Sequence, residues 1–383
     1  QAHFKMNLFD VYPLWDIEPV KGLGCKLWDK NGKEYLDLYG GHAVISIGHS
    51  HPTYVKMISE QVGQLGFYSN SVQNSLQKEF AKELGEICGY PNYALFLCNS
   101  GAEANENALK LASFHTGRKK ILALNKAFHG RTSGAVEATD NPKIQAKFNS
   151  NNNVVFIPIN DIEAAAKEIN TKEYAAVIIE GIQGVAGIFT PQKEYLKAVR
   201  ELCTQTGTVL ILDEIQSGYG RTGKFYAHQH SDVQADIVSM AKGIANGFPM
   251  GAIIVSPDIK PVHGMLGTTF GGNHLACSAA LAVLKVIKDE NLIDNAAKVG
   301  EYLVEKLQPF VGEGKVFKEL RGTGLMIGLE VNPGYEELRN NLLFKKSIFT
   351  GGAGKTVMRL QPPLCVRKKE IDTLIDSIEQ LTK

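Results

Sequence analysis

The sequence of 383 residues has no excess of charge of either sign: lysine plus arginine number 41, aspartate plus glutamate 40, a formal net charge of +1. That balance offers no electrostatic footprint for nucleic acid or an anionic membrane surface. No apolar run approaches the roughly 20 residues that a membrane-crossing helix requires. The cysteines are few and scattered (Cys25, Cys88, Cys98, Cys203, Cys277, Cys365), without a C-x-x-C pair. That excludes a disulfide framework or a cysteine zinc site as the organising feature and points to a reducing, cytoplasmic compartment. The opening QAHFKMNLFDVYPLW lacks the apolar core of a signal peptide. The chain does not begin with Met, which leaves its natural start open. There is no internal repeat and no low-complexity tract.

An apolar fraction of 44% supports a sizeable core. The length allows one large α/β domain or two to three smaller parts. In the first forty-five residues, GCKLWDKNGKEYLDLYGG alternates and turns at Asn31-Gly32, a hairpin signal. From about Ser46 to Ala280 apolar runs (YALFLC, KILAL, NVVFIPI, AAVIIE, TVLILDE, DIVSMA) alternate with helix-period stretches. Continuous rather than alternating strands predict a mostly parallel sheet covered on both faces. Beyond Ala280 the pattern predicts a helix over LAVLKVIKDENLIDNAAKVGEYLVEKLQPF, a strand over ELRGTGLMIGLEV and a closing helix. In that last helix Ile371, Leu374, Ile375 and Ile378 share one face. The expected division is residues 1–45 and 281–383 forming a smaller α+β part, and 46–280 a large α/β domain.

In open parallel sheets, ligands bind beyond the carboxyl ends of the strands. After YALFLC comes NSGAEANENALKLA, where Ser100 and Glu103 fit a capping box and Ala104, Ala108 and Leu111 give a buried face. A tight turn into a helix N-terminus can cradle phosphate, or can simply be a well-capped helix. After TVLILDE, the carboxylates Asp213 and Glu214 must be paired, hydrogen-bonded or protonated. They could hold a proton on a heteroaromatic nitrogen, bind metal, or form a plain salt bridge. Lys242, among small and apolar neighbours, is either a desolvated amine suited to Schiff-base chemistry or a lysine that snorkels to the surface. KAFHGRTSG offers an aromatic, Phe128, and a carboxylate clamp, Arg131. His129 beside them reads as a histidine satisfied by its backbone neighbours rather than an acid–base group.

Two motifs are set aside. GGAGKT, Gly351 to Thr356, ends like a phosphate-binding loop, but that pattern needs glycine where Phe349 stands. His49 and His51 in GHSHP have no nearby third ligand, so a turn is expected there, and no metal site. What remains is an anion cradle, a deep carboxylate, an aromatic face, an arginine and a shielded lysine. All of them follow strands of one sheet. Pyridoxal phosphate needs that set.

The chain resembles the class III (subgroup II) pyridoxal-phosphate aminotransferases, above all their acetylornithine and succinylornithine branch. The resemblance runs from YPLWDIEPVKGLG to the C-terminal helix and is densest in NSGAEANENALK, AFHGRTSGA, LDEIQSGYGRTGK, MAKGIANGFPMGA, TTFGGNHLAC and MRLQPPL. It implies a fold-type I architecture and a homodimer with shared active sites. By that resemblance Lys242 forms the covalent link to the cofactor and shuttles the proton, and Asp213 pairs with the pyridine nitrogen. Gln216 lies near the phenolic oxygen, Phe128 and Ile215 take the two ring faces, and Ser100, Gly101 and Ala102 hold the phosphate. Thr269 reaches the phosphate of the partner's site and Thr268 the substrate. Arg131 and Arg359 match the arginines that clamp substrate carboxylates.

The implied reaction moves the δ-amino group of an N-acylated ornithine to 2-oxoglutarate, in arginine metabolism. Ornithine, 4-aminobutyrate or other ω-amine donors are alternatives, as is an aminomutase acting on a glutamate semialdehyde. A non-enzymatic binding protein on the same scaffold would have been free to lose Lys242, Asp213, Arg131 and Arg359. One departure stands out in IIEGIQGVAG. Relatives read E-P-x-Q-G-E, so Gly181 replaces proline and Val185 the second glutamate, which in the family masks the arginine matching Arg359. With Val185 either Arg359 is open to an extra carboxylate, favouring a succinyl over an acetyl donor, or another group masks it, or the pocket is merely reshaped. Glu180 remains to orient nearby groups.

Overall fold

The computed structural model describes residues 7–383, so the first six residues of the opening segment, and of the expected 1–45 portion, lie outside it. Three sheets organise the described residues. The first is built from β1 (Pro19–Leu23), β2 (Lys26–Asp29) and β3 (Glu34–Asp37). As the Asn31-Gly32 signal predicts, β2 and β3 pair antiparallel. Gly32 sits there at φ 80, a left-handed conformation that costs glycine little.

The central sheet has seven strands: β4 (Ala94–Cys98), β5 (Lys120–Leu124), β6 (Val154–Ile157), β7 (Tyr174–Glu180), β8 (Val209–Asp213), β9 (Ile237–Met240) and β10 (Gly251–Val255), in the order β4-β10-β9-β8-β7-β5-β6. Every residue of β7, β8, β9 and β10 is buried. This accounts for their near-continuous apolar sequences, since helices cover both faces. The fold is α/β, as read from the sequence. One strand was not foreseen: β10 runs antiparallel to both neighbours, β9 and β4. A parallel return needs a crossover of a dozen or more residues, and the link from Met240 to Gly251 is too short for one.

The third sheet, order β11-β12-β15-β14, joins β11 (Phe317–Thr323), β12 (Met326–Val331), β14 (Gly351–Ala353) and β15 (Val357–Leu360), while β13 (Ile348–Phe349) pairs with β3. Here the sequence reading needs two corrections. ELRGTGLMIGLEV is a hairpin rather than one strand, with Thr323 opposite Met326 across a two-residue turn that begins with Gly324. The long helix after Ala280 is two helices, His274–Asp289 and Leu292–Leu307. Asn291 between them adopts φ 51, a conformation asparagine tolerates and a helix does not. The closing helix, Lys368–Thr382, buries Ile371, Leu374, Ile375 and Ile378 as its periodicity requires. Gly351–Ala353, part of the false phosphate-loop motif, is strand β14.

Register is what matters for the site. Glu180 lies opposite Asp213, and Asp213 opposite Ser239. The carboxyl ends of β7, β8 and β9 therefore finish level, and Lys242 follows directly after β9.

Candidate active site

A pocket of about 350 Å³ opens at these strand ends. The structure brings Ser100, Gly101, Ala102, Phe128 and Arg131 onto its wall from the β4 and β5 ends. Glu180, Val185, Asp213, Ile215, Gln216 and Lys242 join them from β7, β8 and β9. Residues spread over 143 positions of sequence thus meet because parallel strands all deliver their following loops to one edge.

Each side chain is positioned by identifiable contacts. Ser100 caps the helix Gly101–Thr116, its hydroxyl accepting from the Glu103 N–H at 3.2 Å. The reciprocal bond from Glu103 goes to the Asn99 N–H. Gly101 and Ala102 begin the helix, where backbone N–H groups lack intrahelical partners and the dipole is positive, so they can hold an anion. Gly101 is also packed under Ile215: a Cβ there would come within 2.9 Å of the Ile215 side chain.

Asp213 is 4% exposed and fully engaged. Its Oδ1 accepts from the Ile215 N–H at 3.0 Å, and its Oδ2 accepts from Asn105 Nδ2 at 2.7 Å and from His129 Nδ1 at 2.7 Å. Asn105 is held in turn by the Ser239 hydroxyl, which donates to Asn105 Oδ1 at 2.6 Å. His129 is therefore not satisfied by its backbone neighbours, as the sequence reading expected; its Nδ1 serves Asp213 and its buried Nε2 has no partner. Asn105 and Ser239 were missed altogether. A signal existed for Asn105: it is the polar residue within the apolar stripe of Ala104, Ala108 and Ala112. Strand alternation sends Glu214 the other way, where it accepts from His228 Nδ1 at 2.7 Å and from the Ser217 hydroxyl at 2.6 Å. Glu214 is therefore a carboxylate paired and hydrogen-bonded away from the pocket.

Lys242 follows β9 with φ 47, a left-handed backbone rare for a residue with a Cβ and typical of functional sites. Burial disfavours its charged form and pulls the amine below its ordinary value, reinforced by Arg359 and opposed by Asp213 and Glu180. Glu180 is pushed up to about 7, chiefly by burial and further by Asp213. Its two oxygens accept from the N–H groups of Phe128 (3.0 Å) and Gly184 (3.1 Å).

Three predicted residues lie off the pocket wall. Arg359, 4% exposed, donates from Nη1 to the Gly184 carbonyl at 3.1 Å and from Nη2 to the Tyr39 hydroxyl at 3.4 Å, leaving its Nε without a partner. Among the described residues no carboxylate forms an ion pair with it, and Val185, 46% exposed, follows Gly184, whose carbonyl it grips. Thr268 accepts from Asn99 Nδ2 at 3.3 Å and lines a separate hollow with Asn70 and Leu97. Thr269 is exposed. His49 and His51 each meet a carboxylate, Asp37 and Glu290 respectively, at 2.7 Å.

An enclosed amine, a buried carboxylate, apolar side chains from Phe128 and Ile215, and a helix N-terminus line one pocket, a set that fits a ligand with an aldehyde, a ring nitrogen and a phosphate. These features define a pyridoxal-phosphate transferase site on a fold-type I scaffold. The sequence model for "Aminotransferase class-III" matches residues 11–382, and the chain belongs to that family.

The acetylornithine aminotransferase of Methanosarcina acetivorans is 42% identical over 94% of this chain and 90% of its own length. That of Bacillus cereus is 40% identical over 98% and 97%. Among solved structures, the ornithine aminotransferase of Toxoplasma gondii superposes with a TM-score of 0.91 at 30% identity, covering 98% of this chain and 93% of its own. The acetylornithine aminotransferase of Elizabethkingia anophelis gives 0.85 at 31%, covering 98% and 96%. The chain is thus a pyridoxal-phosphate-dependent aminotransferase acting on small molecules. No helix among its described residues is long and apolar enough to cross a membrane.

Proposed function

We propose that this enzyme moves the δ-amino group of an N-acylated ornithine to 2-oxoglutarate, giving the semialdehyde and glutamate. The observation that carries the reading is that eight curated relatives at 38–42% identity, each matched over nearly the whole chain, are all acetylornithine aminotransferases. Among solved structures the ornithine aminotransferases, at 26–31% identity, and an acetylornithine aminotransferase, at 31%, stand level, so free ornithine is kept as the second donor to test.

Pyridoxal phosphate, when bound, supplies the electron sink that accepts the charge left as a proton departs. Lys242 would hold it covalently, with Ser100, Gly101 and Ala102 at the phosphate, Asp213 at the ring nitrogen, Gln216 at the phenolic oxygen and Phe128 and Ile215 on the ring faces. Asn105 and His129 keep the Asp213 carboxylate aimed and dry. Lys242 Nζ would take the proton from the δ-carbon of the donor, and burial favours the neutral amine that this requires. Arg131, exposed at the pocket, fits the donor's α-carboxylate, and Glu180 shapes the approach, while Thr268, off this wall, would reach the substrate of the partner's site.

Arg359 would take a carboxylate of the glutamate/2-oxoglutarate pair. Because Val185 offers it no counter-charge, an acyl group with its own carboxylate, as in N-succinylornithine, fits better than acetyl. The test is glutamate formation from free, N-acetyl- and N-succinylornithine with 2-oxoglutarate. A tenfold acetyl preference, about 1.4 kcal/mol in the transition state, sinks the open-clamp reading; a preference for free ornithine sinks the acylornithine reading.

A homodimer completes the proposal, with Thr269 serving the partner's phosphate site. An exposed apolar surface near Thr268, including Phe67, Tyr68, Val72 and Phe270, supports it. Light scattering at a monomer mass would refute it. The free thiols fit a reducing cytoplasm.

A further inference from the structure

We propose that Gln361 is a positioning residue that fixes which end of the Gln216 side-chain amide faces the cofactor. Gln361 directly follows β15 and is 0% exposed. Its backbone N–H donates to the Leu38 carbonyl at 2.9 Å, and its Nε2 donates to Gln216 Oε1 at 2.9 Å. Its own Oε1 is buried without a partner. Leu360 before it and Leu364 three residues on are buried too, so an apolar side chain would pack here and would spare the cost of the unpartnered Oε1. The amide at this position is explained by its donor end.

An amide presents one oxygen and two N–H donors. The oxygen of Gln216 is committed to Gln361 and pressed against Gly184, where a Cβ would approach it to 1.7 Å. The end left for the pocket is therefore Nε2, a donor. An amide turned the other way would set its oxygen against a phenolic oxygen, acceptor against acceptor. The inference rests on the reading of Gln216 given above. A donor at that oxygen draws charge from it and so weakens its hold on the proton of the adjacent lysine-linked nitrogen. Losing the donor strengthens that hold.

The experiment titrates the visible absorption band of the cofactor-loaded enzyme against pH. Gln361→Met keeps the shape and removes the donor, and it should raise the apparent pKa of the band by roughly one unit. Gln361→Glu, whose carboxylate accepts from Gln216 Nε2 and turns the amide round, should raise it at least as far. Gln216→Leu should move it the same way, and Gln216→Leu combined with Gln361→Met no further than Gln216→Leu alone. If Gln216→Leu shifts the band and neither Gln361 variant does, the proposal is overturned, whatever the variants do to thermal stability. If Gln216→Leu itself leaves the band in place, the Gln216 reading has failed, and the proposal with it.

Discussion

His129 Nδ1 lies 2.7 Å from Asp213 Oδ2, with both side chains almost wholly sealed from solvent. A carboxylate at this depth keeps its orientation only while its donors remain, and removing a buried donor strands the acceptor. His129→Ala is expected to lower kcat by about 10- to 100-fold, the equivalent of one lost hydrogen bond to a charged group. Steady-state kinetics alongside cofactor content would check it; an unchanged kcat would show that Asn105 suffices.

Lys242→Ala should abolish turnover and the visible absorbance while leaving circular dichroism and the melting temperature close to those of the parent. The left-handed backbone at this position favours residues without a Cβ, so Lys242→Gly should be at least as stable as Lys242→Ala.

Val185→Glu would place a carboxylate beside Arg359. The ratio of specificity constants for N-succinyl- over N-acetylornithine should fall tenfold or more, because the guanidinium becomes internally paired and a second carboxylate is repelled. Measuring both donors on both enzymes decides it, since a change in one donor alone could reflect altered shape.

Burial disfavours the charged form of Glu180 and pushes its carboxyl up from its ordinary value to about 7. A raised carboxyl contributes stability that is complete below the unfolded value and is lost as pH rises through the folded one. The cofactor-free protein should therefore lose stability between about pH 4.5 and 7 from this group, by roughly 3 kcal/mol at most. Glu180→Gln should flatten that part of the stability profile in denaturant titrations at several pH values.

Gly184→Ala should disturb two clamps together. The added methyl would collide with Gln216 Oε1, and the same residue's carbonyl holds Arg359. Overpacking of this kind costs about 1–3 kcal/mol, so a lower melting temperature should accompany weaker binding of 2-oxoglutarate.

Much of this was legible in the chain itself. Strand ends announce themselves as apolar runs that stop, and Asp213, Lys242 and the Ser100 turn each stand at such a stop. The helix caps were readable because they are local: Ser100 bonds a residue three positions away. What escaped was non-local or depended on geometry between neighbours. His129 looked like a loop histidine because Asp213 is 84 residues further on. Strand β10 escaped altogether, a run of five residues straight after a glycine-rich loop, and its reversed direction is set by the short link from β9. The break at Asn291 and the turn at Gly324 were signalled by single residues, too weak against strong flanking periodicity.

The sequence by itself determined most of the strands and helices of the central sheet, the chemical types of the groups and the family, since periodicity, caps and motifs act over a few residues. The tertiary structure alone decided which groups share a proton or a guanidinium. The level ends of β7, β8 and β9 bring Glu180, Asp213 and Lys242 to one pocket, the Asn105–His129 pair aims Asp213, and Gly184 links Arg359 to Gln216. Those relationships follow from strand register and helix packing, in which contacts between distant residues outweigh anything a residue's neighbours can specify.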